Sequence, residues 1–109
     1  MAFVIRQHDR LPILAATLTD ATGAAVDLTT ATAVRFHLKT QNGNGATPIN
    51  QAAAVVNASA GQVSYSWASG DTDVAGAYNA EFEVTWADGR LSTFPNLGYI
   101  AVVVTKDLA

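Results

Sequence analysis

The chain has 109 residues, half of them hydrophobic, with 14% charged, a formal net charge of −3 and no cysteine. That is the size of one domain, 1–109, and too apolar for wholesale disorder. Mild acidity with no basic face excludes the usual electrostatics of nucleic-acid binding, and the lack of thiols excludes disulfides, thiolate metal sites and cysteine catalysis. The opening Met1-Ala2-Phe3-Val4-Ile5-Arg6 has no signal-peptide pattern, and no apolar stretch approaches the roughly 20 residues of a membrane span.

In chain order, residues 13–18 read as a first strand. The turn Asp20-Ala21-Thr22-Gly23 separates it from Ala25-Val26. Val34, Phe36 and Leu38 then alternate with Arg35, His37 and Lys39, a period of two that marks a half-buried strand. Gln41-Asn42-Gly43-Asn44-Gly45 is a loop, because Asn and Gly accept positive φ. The alanine-rich run 51–56 ends in the β-branched pair Val55-Val56 and is too short for a stable helix, so a strand is expected. Residues 57–61 turn back, and Val63, Tyr65 and Trp67 alternate with Gln62, Ser64 and Ser66.

The clearest strand carries Tyr78, Ala80, Phe82, Val84 and Trp86 on one face and Asn79, Glu81, Glu83 and Thr85 on the other. Asp71, Gly76 and Tyr78 lead into it in the manner of a tyrosine corner, in which a tyrosine hydroxyl bonds to backbone just upstream. Asp88-Gly89 is the strongest hairpin signal. Beyond it Pro95 interrupts any strand, so residues 91–99 are expected to cross an edge or switch sheets. Residues 100–104 are apolar on both faces, which fits a central strand or an edge that something else covers. The sum is an all-β, two-sheet immunoglobulin-like sandwich of about seven or eight short antiparallel strands. Its structural residues are Tyr78, Trp67, Phe82 and Trp86.

Catalytic constellations are scarce. His8 and His37 are the only histidines and have no metal-ligand spacing. The serines sit in turns or on strand faces, outside any nucleophile motif. Asp71 and Asp73 suit turn capping better than calcium, and Glu81 and Glu83 suit pairing with Arg35 or Lys39 on a neighbouring strand. Tyr65, Trp67, Phe82 and Trp86 fall on inward faces as core rather than as a stacking platform. No enzyme, cofactor or metal is expected.

From Asp9-Arg10-Leu11-Pro12, through Leu18-Thr19-Asp20-Ala21-Thr22-Gly23, Val26-Asp27-Leu28-Thr29, Val34-Arg35-Phe36 and Gly61-Gln62-Val63-Ser64-Tyr65, to Gly76-Ala77-Tyr78-Asn79-Ala80-Glu81-Phe82, Asp88-Gly89 and Thr93-Phe94-Pro95, the chain resembles small phage virion proteins related to the N-terminal domain of the siphophage baseplate upper protein. The resemblance implies a β-sandwich made in the host cytoplasm and held in the virion by other phage structural proteins or by self-association. It carries no catalytic motif, nucleic-acid partner or membrane partner. Baseplate, tail, neck and head-decoration positions are all compatible with it. The candidate contact residues are Phe94, Pro95, Leu97, Tyr99, Ile100 and Val102. The alternative is a carbohydrate- or host-surface-binding module, which needs an exposed aromatic platform.

Overall fold

The computed structural model describes residues 2–41, 43, 46–96 and 98–108. Nine strands occur among them: β1 (Phe3–Arg6), β2 (Leu14–Thr17), β3 (Ala31–Thr40), β4 (Ile49–Ala52), β5 (Ala54–Asn57), β6 (Gln62–Tyr65), β7 (Gly76–Trp86), β8 (Leu91–Phe94) and β9 (Ile100–Thr105). That is one more than the upper figure of the seven or eight expected, and Ala25-Val26 makes only an isolated bridge, from Ala25 to Thr19. The additions are β1, whose four residues are too few to display a period, and the division of 51–56 between β4 and β5.

The alternation in β7 is realised in full. Tyr78, Ala80, Phe82 and Val84 are buried, and the residues between them are half-exposed. β3 pairs antiparallel along one edge of β7, bringing Phe36 opposite Phe82 and Val34 opposite Val84. The other edge of β7 is shared by two strands in succession. β9 pairs with residues 76–80, and β8 pairs with residues 82–85. β8 ends at Phe94, just before Pro95, since proline has no N–H to give the ladder. The expected change of sheet is therefore not made here: β8 and β9, on either side of this stretch, both belong to the large sheet.

The shortest change of sheet is at Ala53. β4 pairs with β3 in the large sheet, and β5, one residue later, pairs with β6 in the small one. The large sheet runs β1-β9-β7-β3-β4 with β8 beside β7, and the small sheet runs β2-β6-β5. All pairings are antiparallel except β1 with β9, which is parallel. Residues 100–104 thus form a central strand, with β7 on one side and β1 on the other.

The two sheets meet through aromatic rings. Tyr65 stacks on Phe36 at 4.3 Å between centroids, and Trp67 stands edge-on to Phe36 at 5.8 Å and to Tyr65 at 5.4 Å. The Trp67 indole N–H donates to the Pro12 carbonyl at 3.1 Å, so its one polar atom is satisfied inside the core. The β5–β6 turn depends on Gly61, which has φ +67°. A Cβ there would lie 2.6 Å from the Val26 carbonyl oxygen. The Asp-Gly signal marks a real hairpin. Trp86 donates its N–H to the Arg90 carbonyl at 2.9 Å, and Asp88 caps the Arg90 N–H at 3.0 Å.

Trp67→Ala is expected to cost about 3–5 kcal/mol, the usual range for a buried tryptophan. Trp86, which is only partly buried, is expected to cost clearly less on the same substitution. Urea unfolding of the two variants measures both.

Candidate interaction surface

The expected structural residues divide by burial. Tyr78, Phe82 and Trp67 are in the core, whereas Trp86 lies at its margin with its indole N–H donating to Ser92 Oγ at 2.9 Å. The tyrosine corner is present: the Tyr78 hydroxyl donates to the Val74 carbonyl. A second tether on the same loop has no sequence signal of its own. The Tyr65 hydroxyl donates to Asp71 Oδ2 at 2.5 Å, and the same oxygen accepts the Ala68 N–H at 2.8 Å. Thr72 Oγ1 donates to the Asp9 carbonyl at 2.8 Å, binding the loop to the N-terminal segment. Burial, and then the Asp71 carboxylate beside it, push the Tyr65 phenol up from its ordinary value of 10.0.

Asp71 therefore does turn chemistry. Asp73 lies apart from it in role, facing His8 at 3.9 Å. Among the described residues no group of three or more His, Asp or Glu side chains is placed to hold a metal ion. Glu81 pairs with His37, at 3.3 Å, rather than with Arg35 or Lys39. Arg35 lies opposite Glu83 in the ladder, but its guanidinium turns the other way. Its Nε donates to Asn50 Oδ1 and its Nη2 to the Asn50 carbonyl, both at 2.8 Å.

The expected contact residues do not form one outward patch. Val102 is wholly buried because its side chain lies on the core-facing side of β9, where Val104 is buried too, so it cannot meet a partner. Phe94 is only 6% exposed, and Ile100 is half-buried against the core. Pro95 is half-buried, Tyr99 is 62% exposed, and Leu97 lies outside the described residues, as do Asn42, Asn44 and Gly45 of the 41–45 loop. Phe94, Pro95 and Ile100 do converge, but on a groove rather than on a convex surface.

That groove has a volume of about 670 Å³. Phe3, Phe94, Pro95 and Ile100 line it from the large sheet, and residues 14–21 line it from the small-sheet side. Its origin is a mismatch in strand number, six against three. The inner surface of the large sheet reaches past β2, the last strand of the small sheet on that side. Among the described residues, Asp20 is the one charged side chain in the lining.

The small sheet is itself free of charge. No charged residue occurs between Arg10 and Asp20, which includes β2, or between Lys39 and Asp71, which includes β5 and β6. The charges of the chain are concentrated on the large sheet and the loops. Depletion of charge is the compositional mark of the centre of a protein–protein interface.

The family comparison agrees with this architecture: the BppU N-terminal domain matches residues 4–102. The chain belongs to the BppU N-terminal domain family. The match runs from β1 into β9, so it takes in parts of both sheets and all of the groove lining except Ala2 and Phe3. Among curated proteins no relative matches. Membership makes the chain a phage-associated β-domain with a non-enzymatic, structural role.

Two tests address the tethered loop. Tyr78→Phe is expected to lower stability by about 1 kcal/mol, the net worth of one hydrogen bond, measured by thermal or urea unfolding. For Tyr65 the folded state holds its proton more tightly than the unfolded chain does. Unfolding therefore releases a proton above pH 10, and stability falls as pH rises through that value. Tyr65→Phe should flatten this alkaline fall in urea midpoints measured from pH 8 upward.

Proposed function

We propose that the domain is a structural component of a phage particle, docked onto other virion proteins through the uncharged side formed by the small sheet and its groove. The family match over residues 4–102 carries this reading. The low charge content supports it, since 14% is well below the roughly 25% of ordinary soluble domains. So does the charge-free small sheet, whose exposed Val55 and Val56 lie on β5. Baseplate or tail attachment, neck and head decoration are all served by such a module, because each needs a rigid domain with one adhesive side.

A carbohydrate- or host-surface-binding module would require aromatic faces open to solvent. Trp67 is 2% exposed and engaged with Phe3, Phe36 and Tyr65, so it offers no platform. The docking reading is therefore preferred.

Mass spectrometry of gradient-purified particles tests it. The protein is expected in fixed proportion to the known structural proteins across the particle peak. Abundance in infected cells with absence from that peak would overturn the proposal.

A further inference from the structure

The hydrogen-bonding parity of β2 identifies what the groove lacks. The Leu18 N–H donates to the Gly61 carbonyl of the turn before β6, at 2.8 Å. Alternate residues of an antiparallel strand point the same way, so Ala16 and Leu14, opposite Val63 and Tyr65, also direct their backbone groups toward β6. Ala15 and Thr17 direct theirs outward, along the free edge of the small sheet. β5, at the opposite edge, is interrupted by a register shift between Val55 and Asn57. No such irregularity, and no charged side chain, guards the edge at β2. Natural sheets usually protect an open edge by one of these devices.

We infer that the free edge of β2 receives an extended segment of another virion protein, which adds a fourth strand to the small sheet and fills the groove beside it. This inference rests on the docking reading above and specifies its site and its mode. The added strand would accept the Ala15 and Thr17 N–H groups and donate to their carbonyls. Its inward side chains would descend on Phe3, Phe94, Pro95 and Ile100, and these call for apolar residues at every second position.

The chemistry of the occupant can be taken further. The groove wall continues past the end of β2 to residue 21. A partner spanning residues 14–21 needs about eight extended residues, roughly 26 Å. The four-residue β2 of a second copy is too short to fill that length. Asp20 stands at the far end, its Oδ1 accepting from Thr22 N–H at 2.9 Å and from Thr22 Oγ1 at 2.6 Å. These bonds hold its carboxyl below the ordinary value of 3.8, so it stays ionised. With no lysine or arginine side chain in the lining among the described residues, a lysine or arginine of the incoming segment is its complement. The occupant is thus an alternating apolar segment with a basic residue at one end.

Hydrogen exchange read by mass spectrometry, on the purified domain and on purified particles that contain it, tests the inference. The segment 13–19 is expected to exchange at least about tenfold more slowly in particles, with the protection at Ala15 and Thr17. Ala15→Pro removes one outward donor and no bond to β6. The variant should keep the wild-type melting transition yet fall at least about tenfold in particle incorporation. The hydrogen-exchange comparison uses the wild-type chain and stands whether or not that variant folds. Wild-type protein in particles with unprotected Ala15 and Thr17 would overturn strand addition while leaving docking intact. Absence of the wild-type protein from particles would overturn the docking reading itself. Protection of the same amides in the purified domain, together with a dimer in light scattering, would overturn the foreign segment in favour of a second copy.

Discussion

Strand β7 must be hydrogen-bonded along both edges because its whole inner face, from Tyr78 to Val84, is buried. β3 satisfies one edge over nearly its full length. The other edge is met by β9 and β8 end to end. This arrangement commits six strands to one sheet and leaves three for the sheet that covers it. A three-stranded cover can bury Phe36, Tyr65 and Trp67 at the centre, but it stops short at β2. The groove is therefore a consequence of how β7 is paired, and it places an open backbone edge next to apolar side chains.

The loop before β7 is held by independent bonds. Tyr65 holds Asp71, Tyr78 holds the Val74 carbonyl, and Thr72 reaches Asp9 while its own carbonyl accepts the His8 N–H at 3.1 Å. Two of these anchors come from different sheets, so the loop also ties the sheets together. The same bonds explain why the local carboxylates do not amount to a metal site. Asp71 spends an oxygen on a phenol and a backbone amide, which is the work of a cap.

Much of this was legible in the sequence where the signal is local. The alternation from Tyr78 to Trp86 and from Val34 to Leu38 gave the two central strands, Asp88-Gly89 the hairpin, and Asp71, Gly76 and Tyr78 the corner. Long-range pairing was not legible. The parallel contact of β1 with β9 joins the two ends of the chain, and nothing in Phe3-Val4-Ile5-Arg6 specifies its partner. The two-faced apolar run at β9 fits a central strand as well as a covered edge, and the core-facing side chain of Val102 keeps it from any interface. The crossing at Ala53 was hidden because alanine is equally at home in either sheet. Of the residues expected to make contacts, Phe94, Pro95 and Ile100 line one wall of the groove. Ala15 and Thr17 on the other wall had no signal in the sequence, because small residues carry no sign of how their backbone is paired.

A density map of the assembled particle, at a resolution that separates β-strands, tests this account most directly. It should show the domain against its neighbour with an extended segment beside Ala15 and Thr17, making the small sheet four-stranded. A map in which the edge of β2 faces solvent, and another surface makes every contact, would contradict it.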